Sequence, residues 1–376
     1  MSSPSPTGLS DAGLSALHAR IEADLHDGHL SAAQVAIAHQ GRIVHRAAFG
    51  AADDDSRFVI FSATKTIVAM ALLPHLADGS LELTAPVARY IPEWGTHGKH
   101  ETTVLQLLTM QGGFPYALMH PKKWGSSASR REAFAEWTLD YAPGTRTEYH
   151  PISAHWVIAE LLEALTGRPY VEVVHERVVA PAGVGPILGP DAIAEREPML
   201  IRAVGTYPTD RQHLVDTYGR DDLIPQPSYS YETMLSMNDR RTWMAAIPGG
   251  GAIASASTMA LVYQTFLHNP GGQPADWLTD AIGTVRNGSI TVSDGVPANR
   301  TVAGYVSGHD GYHDHRWMPP TPRAFGHPGA GGQLHWVDPD TGISVSFLHD
   351  TLNNDPTVEF RRNVDVNRLA LMAWQG

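Results

Sequence analysis

Ser62 and Lys65 stand three residues apart within Phe58-Val-Ile-Phe-Ser-Ala-Thr-Lys-Thr-Ile-Val-Ala-Met-Ala-Leu-Leu73. On a helix, positions i and i+3 share a face, so an amine on Lys65 can reach the hydroxyl of Ser62. Serine is a poor nucleophile by itself and needs a neighbouring base. A lysine serves as that base only when partly neutral near pH 7. That means lowering its pKa by roughly three units, about 4 kcal/mol, through burial and nearby positive charge. The apolar flanks of Lys65 supply burial. A helix starting near Ser62 also aims free backbone N–H groups at a developing oxyanion. The chemistry is acyl transfer through a serine ester. A helix-capping serine followed by a solvated lysine has the same spacing, so this motif alone leaves both readings open.

Competing chemistries find less support. The chain has no G-x-S-x-G elbow, no H-E-x-x-H helix and no Walker loop. It has no cysteine, which removes thiol nucleophiles, disulfides and Cys-ligated zinc. His309, His313 and His315 with Asp310 and Asp314 have the right types for a metal. They lie in a Gly- and Pro-bounded stretch of a chain holding 20 histidines, so no metal site is assigned and no cofactor is implied. A net charge of -12 without any run of Lys or Arg argues against nucleic acid. Trp124, Tyr207, Tyr218, Tyr229, Tyr231 and Trp317 are candidates for an aromatic acyl pocket, although core or surface packing is the commoner role for any single one of them.

The elements that must position Ser62 follow from periodicity. Residues 1–8 read as a disordered lead. Leu14, Leu17, Ile21 and Leu25 form one stripe of a helix stopped near Gly28. Two β-prone runs, 34–39 and 42–49, flank Gln40-Gly41 as a hairpin. The helix opening near Ser62 is expected to kink or end at Pro74. Residues 75–240 read as helices and loops, clearest at 103–108 and 154–165, with Gly167 as a stop and an irregular excursion at 205–235. Runs at 301–306, 333–338 and 342–348 read as strands, the last two joined by a turn at Asp338-Pro-Asp-Thr-Gly342. A closing amphipathic helix spans 358–374. The expected fold is α+β: an antiparallel sheet of about five strands formed by both termini and flanked by helices, with a mainly helical region inserted. As a single domain over 1–376, its α/β part covers about 9–66 and 250–376 and its helical part about 67–249. No stretch is long and apolar enough to span a membrane, and Met1-Ser-Ser-Pro-Ser-Pro-Thr-Gly8 has no leader pattern, so a soluble, cytoplasmic protein is expected.

Six landmarks in order carry a resemblance. They are Phe61-Ser-Ala-Thr-Lys-Thr66, Asp78-Gly-Ser-Leu-Glu-Leu-Thr-Ala-Pro86, Leu107-Leu-Thr-Met-Gln-Gly-Gly-Phe-Pro115, Pro143-Gly-Thr-Arg-Thr-Glu-Tyr149, Pro248-Gly-Gly-Gly-Ala-Ile-Ala-Ser255 and Phe325-Gly-His-Pro-Gly-Ala-Gly-Gly332. Together they resemble the serine β-lactamase, D-alanyl-D-alanine peptidase and esterase superfamily, in its class C-like branch with family VIII carboxylesterases. The resemblance implies a catalytic Ser62, Lys65 and Tyr149, with the phenol of Tyr149 passing protons to the leaving group. It implies an oxyanion hole from the backbone N–H groups of Ser62 and Ala330, and substrate contacts at His150, His327 and Gly329.

Two departures bear on substrate. Pro151 stands where the family has an amide-bearing residue, and His327 replaces the lysine that attracts a carboxylate, offering charge only when protonated. The expected function is therefore a carboxylesterase acting on small or medium esters, with β-lactamase or D-alanyl peptidase activity weak or absent. An amidase or biosynthetic acyltransferase is the alternative within this chemistry, and a catalytically silent binding or regulatory protein the alternative outside it. The partners expected are a small acyl substrate and, as an open option, further copies of the chain.

Overall fold

The computed structural model describes residues 8–206, 212, 215, 216 and 231–376. Helix α1 (Asp11–His26) opens on Ser10, whose hydroxyl accepts from the Gly13 N–H, and buries Leu17 and Ile21. The hairpin is β1 (Ala32–His39) and β2 (Arg42–Gly50), turned by Gln40 and Gly41 at φ 50° and 72°. Two successive positive φ values match the twist of a two-residue hairpin turn. The region bearing Ser62 leads into α2 (Thr64–Met70), and a longer helix, α3 (Ser153–Thr166), follows before the excursion. Gly167, at φ 67°, ends α3 as its composition predicts. Helix α4 (Ala256–His268) precedes β3 (Tyr305–Val306), β4 (Phe325–Gly326), β5 (Leu334–Val337) and β6 (Ile343–His349), and α5 (Pro356–Ala373) closes the chain.

The main sheet runs β2-β1-β6-β5-β4-β3, with every neighbouring pair antiparallel. It has six strands, close to the number expected, and only Tyr305–Val306 of the 301–306 run is strand. Strand β1 is apolar on both faces. Ala33, Val35 and Ile37 pack with Leu17, Ile21, Val366 and Ala370, on the side of α1 and α5. Ala32, Ala36 and Ala38 pack with Ala260 and Tyr263 of α4 in the larger core. Period-two alternation divides one strand between two cores, as a sheet covered on both faces requires.

Two further pairings were not expected. Phe58–Val59 pairs with Ile253–Ala254, and Arg202–Val204 runs parallel to Thr351–Asn353. The Ser62 helix also departs from expectation. It begins as a 3-10 turn (Phe61–Ala63), and α2 ends at Met70. A second short helix, Leu73–Ala77, then carries Pro74 in its first turn. A proline lacks an N–H that the first turn would leave unpaired anyway, so Pro74 starts a helix here and ends none.

Candidate active site

The strand pair around Ser62 fixes its backbone. The Ile60 N–H bonds the Ala252 carbonyl at 2.9 Å, and Thr64 Oγ1 accepts from the Ala252 N–H at 3.1 Å. Phe61, between them, is buried with φ 47°. A bulky residue in the left-handed region is strained and persists only where its surroundings hold it. Ser62 lies in the first turn that follows, where its own N–H precedes the first carbonyl acceptor of the helix.

Lys65 is 1% exposed. Its Nζ lies 3.1 Å from Ser62 Oγ and 2.5 Å from the Pro151 carbonyl, and it also bonds the Gly249 carbonyl. Burial, and then the charge of Arg300, hold this amine well below the usual lysine pKa. Two carbonyls take both N–H groups of a neutral amine, and the nitrogen lone pair is then left for the Ser62 O–H. The neutral form is thus fully satisfied at a site where an ammonium would be desolvated. No residue type marks the two carbonyls, because any residue can supply one.

Tyr149 lines the same cleft, its ring centroid 5.1 Å from Lys65 Nζ. Its neighbour His150 does not. The His150 ring is fully buried, stacked edge-on to Phe114 at 4.8 Å, with Nδ1 donating to the Glu148 carbonyl at 2.7 Å and Nε2 accepting from the Phe114 N–H at 3.2 Å. Burial lowers its pKa to about 4. The expected substrate contact at His150 is therefore corrected: Tyr149 and His150 project to opposite sides, and the histidine fastens the loop from behind. Pro151 is present through its carbonyl, not as a missing amide alone.

The segment after β4 completes the wall. The Gly329 N–H bonds the Gln333 carbonyl at 2.8 Å, and a Cβ on Gly329 would sit 2.3 Å from the Ile60 carbonyl oxygen. Only glycine lets this turn lie against the backbone two residues before Ser62, and so Gly329 and Ala330 both border the cleft. The carbonyl of Gly331 accepts from Arg362 Nη2 at 2.8 Å, tying the turn to α5. His327 also borders the cleft but is 2% exposed. Its Nδ1 donates to the Pro328 carbonyl at 2.8 Å and its ring packs 4.9 Å from that of Tyr305. Burial first, then Arg300 and Lys65, push its pKa well below 6.5. The site therefore disfavours the charged ring, the only form of His327 that could attract a carboxylate.

The cleft encloses about 520 Å³, and Trp124 and Trp317 line it as proposed from their composition. Tyr207, Tyr218 and Tyr229 lie outside the described residues, as does the side chain of Tyr231. Asp310 and Asp314 are engaged by Arg316 and Arg368 at 2.5 and 2.7 Å. Among the described residues no three His, Asp or Glu side chains converge as metal ligands.

Arg300 was missed by sequence reasoning. It is 4% exposed and borders the cleft, with its guanidinium carbon 4.0 Å from the Tyr305 ring centroid and 5.2 Å from that of Tyr149. Its signal was weak: a lone cation in the otherwise uncharged run Gly295-Val-Pro-Ala-Asn-Arg-Thr-Val-Ala-Gly-Tyr-Val306.

Comparison with known proteins places the chain by family and by fold. The sequence pattern of the Beta-lactamase family matches residues 17–368. Esterase EstB of Burkholderia gladioli is 27% identical over 389 residues, covering 93% of each chain. Esterase/beta-lactamase LipL of Mycobacterium tuberculosis is 26% identical over 325 residues, 79% of this chain and 70% of its own. Among solved structures, a penicillin-binding protein homolog from Caulobacter crescentus superposes with a TM-score of 0.77 at 20% identity, covering 97% of this chain and 98% of its own. A family VIII carboxylesterase does so with a TM-score of 0.72 at 19% identity, covering 98% of each. At these identities the structural likeness is one of fold.

Proposed function

The chain belongs to the Beta-lactamase family, and from that premise we propose that it is a serine hydrolase cleaving carboxylic esters through an acyl-serine intermediate. The observation that carries this reading is the Lys65 amine, held by two backbone carbonyls with its third contact on Ser62 Oγ at 3.1 Å. Lys65 takes the hydroxyl proton as Ser62 Oγ bonds the ester carbonyl carbon. The Ser62 and Ala330 N–H groups receive the negative charge that develops on the carbonyl oxygen. Collapse breaks the carbon–oxygen bond of the ester, and Tyr149, relayed from Lys65, supplies the proton the departing alcohol needs. Water repeats the sequence on the acyl-serine and releases the acid.

Esters are favoured over amides because Pro151 offers no side-chain amide to hold an acyl amide. The relatives EstB and LipL both bear esterase names. Transfer of the acyl group to an amine or another alcohol differs only in what replaces water. A silent binding protein has no chemical reason to bury an amine against a serine hydroxyl.

A fluorophosphonate should add one phosphonyl group, mapping by peptide analysis to Ser62, and should abolish turnover of 4-nitrophenyl esters in step with labelling. The loss of one hydrogen-bonded contact is worth about tenfold at most sites, so kcat/KM for short-chain esters should exceed that for nitrocefin by roughly that factor or more. Labelling at another serine with Ser62 untouched sinks the assignment. Nitrocefin turnover equal to that of esters returns the chain to the β-lactam hydrolases.

A further inference from the structure

Arg300 is a buried cation without an anion. Its Nη2 donates to the Tyr305 hydroxyl, and its Nε and Nη1 make no hydrogen bond among the described residues. Neither atom is sealed from the cleft. Among the described residues no carboxylate comes within ion-pair distance of it. Asp294, the acid that shares the cleft, turns its carboxylate to the hydroxyls of Thr291 and Ser293. The faces of Tyr149 and Tyr305 attract the guanidinium but offer no charged acceptor. Every other arginine of comparable burial is paired: Arg130 with Glu160 and Glu163, Arg316 with Asp310, and Arg362 with Asp24. An unpaired buried charge is destabilising, and a guanidinium with N–H donors left over toward the cleft is matched by a carboxylate.

We propose that Arg300 is the substrate-anion site of this cleft and that the ester turned over carries a free carboxylate. The inference rests on the reading of Ser62 as the nucleophile, because it places the carboxylate beside that serine. It also corrects one ground for expecting neutral esters. The cation missing at His327 is present at Arg300, brought in from a loop 27 positions upstream.

The test uses matched ester pairs on the whole chain. The butyryl ester of 3-hydroxybenzoate is compared with that of methyl 3-hydroxybenzoate, placing the carboxylate on the leaving alcohol. The monophenyl ester of glutaric acid is compared with phenyl methyl glutarate, placing it on the acyl group. A charge-assisted pair is worth about ten- to a hundredfold. At least one anionic ester should therefore exceed its neutral counterpart in kcat/KM by about tenfold, and the pair that does so identifies the side. Arg300→Gln should reduce that ratio toward one, and Arg300→Lys should restore part of it. If neither pair favours the anion in the wild-type protein, or if Arg300→Gln lowers both members equally, the proposal is overturned. The wild-type ratios decide the matter even if the variants do not fold. Failure of the ester reading itself looks different: no ester of either kind is turned over and Ser62 is not labelled.

Discussion

Two of the three contacts that hold the Lys65 amine come from neighbours distant in sequence, Pro151 and Gly249, and the third from Ser62 one helical turn away. Lys65→Ala and Tyr149→Phe should each lower kcat by about 10²-fold or more, the usual scale for a lost general acid or base. The double variant should lose less than the product, since both act on one nucleophile. The amine is held well below its usual pKa, by burial first and by Arg300 second. The rate should therefore rise with pH along a limb lying well below 10.5 as the ammonium loses its proton. Removing a positive neighbour favours the ammonium, so Arg300→Gln should move that limb to higher pH. A limb that stays in place would separate the two residues. The approach of Ser62 to Lys65 was legible in their types and spacing, and the place of Tyr149 beside them only in the resemblance. The Pro151 and Gly249 carbonyls were not, since a backbone acceptor leaves no mark in the sequence. Nor was the isolation of Arg300, which is a property of what surrounds it in space. His150 was misread for a similar reason: adjacency to Tyr149 says nothing of which way a side chain turns.

At the scale of elements, the turn after β4 depends on Gly329. A methyl group there meets the Ile60 carbonyl at 2.3 Å and Gln333 Cβ at 2.9 Å. The first is backbone and cannot swing aside, so the turn must move away from Ser62. Gly329→Ala should cost about 10²-fold in kcat, the scale of one lost oxyanion donor. Gly185→Ala, where a Cβ meets nothing within 4 Å, should be neutral by the same assay. A Gly329→Ala protein with wild-type kcat would mean the close approach does not set the site. Elements were legible where local chemistry decides them. The Gln40-Gly41 turn is one case, and Thr103, which caps Val104–Leu108 in a reciprocal pair with Gln106, is another. They were not legible where tertiary contact decides. The 3-10 turn at Ser62 and the positive φ of Phe61 arise from docking against Ala252, and the parallel pair at Arg202–Val204 joins segments nearly 150 residues apart.

Over the whole molecule, buried histidines set the response to acid. His150, His155, His327, His335 and His349 are all buried and all held below the ordinary 6.5, chiefly by desolvation. Below pH 6.5 the unfolded chain binds protons that the folded chain does not, so stability falls with falling pH. Each histidine that stays neutral contributes up to about 1.4 kcal/mol per pH unit. Glu359, raised to about 7, and Glu163, also raised, act with the opposite sign. They hold protons when folded that the unfolded chain releases above 4.5. Five groups against two leave a net loss, so urea unfolding should show ΔG decreasing steadily from pH 7 to pH 5. A flat profile would show that these rings are protonated in the fold. The overall plan, a sheet drawn from both ends of the chain, was legible from the strand-like runs and the ordered landmarks. The division of β1 between two cores was not, because an alanine-rich strand reads alike on either face.

The pairing of β1 with β6 has a consequence for synthesis. Ala33 finds its partner in His349, so the N-terminal hairpin leaves the ribosome roughly 300 residues before the strand that covers its inner edge. At about 5–20 residues per second that wait lasts on the order of 15–60 s. During it β1 offers an unpaired edge and apolar side chains on both faces, the combination most prone to wrong pairing. Until α4 and then β6 have been made, the nascent chain therefore depends on α1 and β2 to shield β1.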